Sequence, residues 1–100
     1  MVIDSHVHFW KYERTSYGWI DKSMKTLQKD YLPADIKLTL ERNNIDGCIA
    51  VQSIPSLVET RFLAELAKTN TFIKAVIGWA DLQSDHAEKH LSELQQYGAI

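Results

Sequence analysis

A parallel α/β fold is what this sequence predicts, on three observations. Three apolar runs, Val2 to His8, Gly47 to Gln52 and Phe72 to Ala80, have the length and hydrophobicity of buried strands. Between and after them lie three stretches in which apolar residues recur at helical spacing, giving the order βαβαβα. No linker, low-complexity segment or sequence repeat interrupts that order, so residues 1–100 read as one unit.

The first strand is polar on one side. Along Asp4-Ser5-His6-Val7-His8, strand alternation sends Asp4, His6 and His8 to one face and Ile3, Ser5 and Val7 to the other. The segment 9–32 that follows is too long for an ordinary strand-to-helix loop. It holds or borders six of the ten aromatics: Phe9, Trp10, Tyr12, Tyr17, Trp19 and Tyr31. Loops leaving the C-terminal ends of strands carry function in such folds, so this one is expected to be a pocket wall or lid.

The first helix opens near Pro33, whose fixed φ and missing N–H suit an opening turn, and Gly47 lies just beyond it. Ile36 and Leu40 share its face. The second begins at Ser56 with Glu59 three residues on, the spacing of a capping box in which each side chain satisfies an orphan backbone N–H. Val58, Phe62 and Leu66, flanked by Leu63 and Ala67, form its apolar stripe. The third runs from a Ser84 cap through Ala87, Leu91 and Leu94, and Gly98 is placed to close it in a left-handed conformation. Ala99 and Ile100 read as a fourth strand beginning. An open three-stranded parallel sheet has two unpaired edges and an unfinished core. The pattern therefore predicts the first three βα units of a TIM-type β/α barrel, which with eight units would take about 250 residues. Standing alone, such a chain would be marginally stable or would self-associate through its edges.

Composition removes several classes of function. Lys and Arg number 11 against 13 Asp and Glu, which lacks the positive field that binding nucleic acid requires. No stretch approaches the roughly 20 apolar residues of a membrane span. Met1 to His8 lacks the cationic segment and apolar run of an export signal, so the expected compartment is the cytoplasm. Cys48, the single cysteine, sits in an apolar run and reads as a small buried hydrophobe in a reducing compartment.

Chemistry concentrates at the ends of the strands. His6 and His8, roughly 7 Å apart at Cα, can converge on one divalent ion, zinc by preference, or on one substrate group. Asp4, one step deeper, could hold an imidazole N–H from behind. Counting by twos from Cys48 and Ala50 brings Gln52 to the rim, and counting from Ala75 and Ile77 brings Trp79 and Asp81 there. Each has a plainer reading: Gln52 bonded to loop backbone, Asp81 a turn or helix cap, Trp79 core. Trp10 and Trp19 either pack on a bound ligand or simply cover the rim. Arg14, Lys22, Lys25 and Lys29 either attract an anion or are solvated surface. His86 and His90 are four apart, but His86 projects away from the apolar stripe, which makes the pair surface.

The segment Ile3-Asp4-Ser5-His6-Val7-His8-Phe9-Trp10 resembles the first-strand signature of the amidohydrolase superfamily. Tyr17-Gly18-Trp19-Ile20, Asp46-Gly47, Ile49-Ala50-Val51-Gln52, Glu59-Thr60 and Ile77-Gly78-Trp79-Ala80-Asp81-Leu82 together resemble its sugar-lactonase branch, which includes L-rhamnonolactone, L-fuconolactone and 2-pyrone-4,6-dicarboxylate hydrolases. The resemblance implies a hydrolase that opens a lactone ring. His6 and His8 would be its catalytic and metal-binding residues, Trp10, Trp19, Gln52, Trp79 and Asp81 its substrate contacts, and Asp4 the support behind the histidines. It also implies a general-base aspartate on a later strand, beyond Ile100. Metal-independent action, with the histidines directly on the substrate, is the other option in that branch. Two different readings stand beside it: a metal-dependent decarboxylase of the same superfamily, and a noncatalytic α/β binding module. The expected partner is a small molecule, and a homo-oligomer is compatible with the sequence.

Overall fold

Each apolar run yields a strand of five residues, β1 (Ile3–Val7), β2 (Gly47–Val51) and β3 (Ile73–Ile77), in a computed structural model that describes residues 1–100. Three helices intervene or follow, α1 (Pro33–Arg42), α2 (Leu57–Thr69) and α3 (Ala87–Leu94), and a short 3-10 stretch (Lys22–Leu27) lies within the long first loop. The strands form one parallel sheet in the order β1-β2-β3. No helix is long and apolar enough to cross a membrane.

One face of the sheet is covered. Val7 and Phe9, Cys48 and Ala50, and Ile73 and Val76 pack against Leu63 of α2, with Ile36 of α1 and Phe62, Leu66 and Ala67 of α2 partly buried around them. Cys48 is fully buried, as its apolar setting predicts, and burial first, then the Asp4 carboxylate, pushes its thiol pKa up. The opposite face stays open, and Ile77 at its edge is 55% exposed. The molecule is a slab of 45 × 36 × 18 Å with 6827 Å² of accessible surface. A closed domain of this length exposes about 5,800 Å². The excess includes apolar Leu38, Val58, Ile77 and Leu82.

Register is where the structure departs most from simple alternation. Asp4 pairs with Cys48 but Val7 with Ala50, so β1 spends three residues where β2 spends two. Cys48 pairs with Ile73 but Ile49 with Ala75, so β3 also carries an extra residue. A one-residue bulge flips every side chain beyond it to the other face. Asp4 therefore lies on the Cys48 side of the sheet, while His6 and His8 alternate with Val7 and take the open face with Val51 and Ile77.

Helix boundaries show three further departures. At α2, Ser56 Oγ accepts from the Glu59 N–H (3.2 Å), but the Glu59 carboxylate does not return to Ser56, whose N–H donates to the Ile54 carbonyl (2.9 Å). Ser84 Oγ accepts from the His86 N–H at 3.1 Å and shapes a turn, and α3 starts only at Ala87. No glycine has positive φ; the left-handed residue after α1 is Asn44, at φ 57°, and α3 closes without Gly98 in that conformation. Gly47 instead opens β2, because a Cβ there would stand 2.5 Å from the Phe72 carbonyl oxygen. Ala99 accepts a backbone bond from Val76 (2.8 Å) on the free edge of β3, where a fourth strand was expected, although no strand forms.

Candidate active site

His6 and His8 meet at the end of β1. Their Nε2 atoms are 3.2 Å apart and their rings stand edge to face, with centroids at 4.9 Å. His8 Nδ1 lies 2.9 Å from the Val51 carbonyl oxygen. A carbonyl only accepts, so Nδ1 carries the proton and Nε2 presents a lone pair toward His6. Two ligands at the zinc–nitrogen distance of 2.0–2.1 Å in a tetrahedral shell are separated by roughly 3.3 Å, close to the observed spacing. The pair thus fits two corners of a zinc site. No third His, Cys, Asp or Glu joins it among residues 1–100. The support behind His8 is Val51, which sequence reasoning missed because a backbone acceptor leaves no side-chain signal. Asp4, expected to hold a ring nitrogen, instead accepts from the His6 backbone N–H (3.1 Å). The bulge turns it away from the imidazoles.

The long loop has a core of its own. Trp10 is 5% exposed, donates its indole N–H to the Lys29 carbonyl (2.9 Å), and exchanges two backbone bonds with Tyr31. Tyr17, Trp19 and Tyr31 pack their rings on it at centroid distances of 5.7, 5.8 and 5.7 Å. Trp10 is therefore the centre of the loop, the plainer of its two expected roles, with its indole N–H and its ring faces engaged by the loop itself. Trp19, 47% exposed, does present itself. Asp21 caps the 3-10 stretch, and hydrogen bonds from the Ser23 hydroxyl and N–H hold its carboxyl below the ordinary range.

The other rim candidates separate from the histidines. Gln52 lies just past β2 and donates its N–H to the Ile77 carbonyl (2.8 Å). Asp81 accepts from the Gln83 N–H (3.0 Å), the bond of a turn residue. Trp79 and Asp81 line an open cleft of about 680 Å³ with Thr60, Leu91, Leu94 and Ile100, and neither histidine belongs to it. His8 lines a second cleft of about 470 Å³ beside Lys29, Asp30 and Tyr31. The smaller cleft is the one next to the chemistry. His86 is exposed and its ring centroid is 6.2 Å from that of His90, with no acid or cysteine completing a site there.

Two buried polar residues, one expected only to cap α2, tie the strand-end loops together. Glu59, 4% exposed, accepts from Ser53 N (2.7 Å), the Ser53 hydroxyl, Ile54 N (3.3 Å) and Tyr17 OH (3.0 Å). Burial, reinforced by that carboxylate, pushes the Tyr17 phenol well above the usual tyrosine range. Thr60, 1% exposed, exchanges hydrogen bonds with both the N–H (2.8 Å) and the carbonyl (2.7 Å) of Trp79.

No family model matches the chain. It is 33% identical over 92 residues to the L-fucono-1,5-lactonase of Burkholderia ambifaria, covering 92% of itself and 32% of that protein. It is 40% identical over 91 residues to the L-fucono-1,5-lactonase of Burkholderia multivorans, covering 91% of itself and 31% of the relative. An amidohydrolase from Burkholderia multivorans, crystallised with bound zinc, superposes with a TM-score of 0.88 at 39% identity, over 93% of this chain and 33% of that one. A second crystal form, with bound HEPES, gives the same TM-score over 32% of its length. The chain is similar to one stretch of these amidohydrolases. It spans about a third of the length of the curated relatives it matches. Within this chain the histidine pair, the aromatic loop and the two braces at Glu59 and Thr60 all lie at the C-terminal ends of the strands, the side on which α/β enzymes build their sites.

Proposed function

We propose that residues 1–100 form the first three βα units of a single amidohydrolase-type TIM barrel, and that the complete barrel hydrolyses a sugar lactone. The observation that carries this reading is the convergence of His6 and His8 in a chain whose curated relatives are L-fucono-1,5-lactonases. The open sheet face and excess apolar surface support the architectural half of the proposal, since a barrel would enclose the face that bears the histidines.

Opening a lactone requires a polarised ring carbonyl and a water made nucleophilic. Zinc held by His6 and His8 would supply Lewis-acid polarisation and acidify a bound water. The chain's own residues prepare that site. The Val51 carbonyl fixes the His8 tautomer and ring orientation, which keeps the Nε2 lone pair on the open face. Trp19, braced edge-on against Trp10, offers an apolar surface to the C–H face of a sugar ring. The general base is proposed to come from another strand of the complete barrel.

The test is expression of the whole reading frame, metal analysis, and proton release on a panel of aldonolactones that includes L-fucono-1,5-lactone. Wild type should open at least one lactone, and His6→Ala and His8→Ala should each lower kcat/KM by more than about 100-fold, beyond the loss expected for an outer-shell partner. Absence of turnover on every lactone by correctly metallated protein would overturn the assignment.

A further inference from the structure

We propose that Glu59 and Thr60, neighbours in the first turn of α2, are positioning residues that brace together the loops leaving all three strands and so hold the aromatic loop beside His8. The inference rests on the lactonase reading for its link to turnover, but the brace itself is a geometric statement about these residues.

Glu59 joins two loops. Its Oε1 takes the backbone N–H groups of Ser53 and Ile54 after β2, and its Oε2 takes the Ser53 hydroxyl and the phenol of Tyr17, which lies in the loop after β1. Thr60 joins the third: its hydroxyl accepts from the Trp79 N–H and donates toward the Trp79 carbonyl after β3. Gly78 makes this approach feasible, since a Cβ there would stand 2.4 Å from Thr60 Cγ2.

The choice of a buried carboxylate argues for more than packing. Glu59 belongs to neither of the chain's two ion pairs, so its desolvation is met by hydrogen bonds and by the N-terminal end of α2. A carboxylate offers about four acceptor positions on two oxygens, whereas a glutamine offers two and adds two donors. Only an acid here can take four donors from two separate loops. The brace then passes through contacts already described: Tyr17 packs on Trp10 (5.7 Å), and Trp10 lies between exposed Trp19 (5.8 Å) and His8 (6.4 Å). Loosening the Tyr17 end releases the element that sets the distance between a substrate-facing indole and the metal-binding pair.

The experiment uses the complete protein and the variants Tyr17→Phe, Glu59→Gln, Thr60→Val and Thr60→Ser. Amide hydrogen exchange at Ser53 and Trp79 and the side-chain resonances of Trp10 and His8 read the brace without reference to activity. Glu59→Gln should speed exchange at Ser53, Thr60→Val should speed it at Trp79, and Tyr17→Phe, the mildest change, should shift the Trp10 and His8 signals. With bound zinc unchanged, Tyr17→Phe and Thr60→Val should raise KM for the lactone by at least about tenfold, as expected for a misplaced binding group, and Thr60→Ser should return it to within about twofold of wild type. Unchanged exchange and resonances would overturn the brace. Altered exchange with wild-type KM and kcat would overturn the positioning role. If wild type opens no lactone, the functional reading fails while the exchange and resonance measurements still decide the brace.

Discussion

Replacing Gly78 with alanine puts the brace at Thr60 to a quantitative test. The new Cβ would lie 2.4 Å from Thr60 Cγ2, 3.1 Å from its Oγ1 and 3.2 Å from its Cβ, against an optimal carbon–carbon separation of about 3.5–4.0 Å. Thr60 cannot swing aside without giving up both of its bonds to Trp79, at 2.7 and 2.8 Å. Overpacking of this kind costs about 1–3 kcal/mol, and weakening one hydrogen bond adds about 1 kcal/mol. Restricting the unfolded chain returns about 0.4–1 kcal/mol, because Gly78 has no positive φ that alanine would strain. The expected net loss for Gly78→Ala is about 1–3 kcal/mol. Thr60→Ser keeps the hydroxyl and removes the methyl that clashes, at a cost of about 1 kcal/mol for the lost burial. In that background the alanine methyl fills the vacated space, so the double variant should be no less stable than Thr60→Ser alone. The assay is urea unfolding of the four proteins with equal m-values, read as a double-mutant cycle. If Gly78→Ala costs the same in both backgrounds, to within about 0.5 kcal/mol, the contact with Thr60 is not what excludes a side chain at position 78.

The two indoles of the long loop should behave in opposite ways. Trp10→Ala, which empties the centre of the loop core, should cost about 3–5 kcal/mol of unfolding free energy, whereas Trp19→Ala should cost about 1 kcal/mol or less and act mainly on KM. Equal stability losses would place Trp19 in the core. For pH, the folded state raises the Tyr17 phenol, chiefly through burial. Both states keep the phenol neutral below the ordinary value of about 10, so this contribution is fully present there. Above it the unfolded chain ionises first, and stability falls as pH rises toward the folded value. Phenolate absorbance should therefore show a late step that coincides with unfolding and disappears in Tyr17→Phe. A late step that survives in Tyr17→Phe would reject the assignment.

Much of the fold was legible because hydrophobic periodicity is summed over many residues. The three strands, three helices and the Pro33 start of α1 lie where apolar spacing puts them. What was not legible hung on single side chains that had better partners available. Glu59 matched a capping box, yet its carboxylate has four donors within reach, three from the loop before α2 and one from distant Tyr17, and goes to them. Ser84 has the chemistry of a cap and caps a turn instead of the helix. The left-handed position after α1 fell to an asparagine, which tolerates it. These are competitions settled by tertiary geometry, and local spacing does not encode their outcome.

The candidate site was legible in part, and the part that failed is informative about where the site is. Counting by twos put Asp4 with His6 and His8. The Asp4 assignment broke because β1 carries an extra residue between Asp4 and Val7, which no residue type in Asp4-Ser5-His6-Val7 announces. Given that bulge, His6 and His8 stay in phase with each other but out of phase with Asp4, and the acid moves toward Cys48, whose thiol its charge helps to raise. The His8 ring is then held by a backbone carbonyl of the neighbouring strand, an acceptor that stays in place whatever its side chain. Bulges concentrate next to active sites because they re-aim a side chain without unpairing the rest of the strand. That alternation fails on the very strand carrying the imidazole pair is therefore what a working site at His6 and His8 leads one to expect.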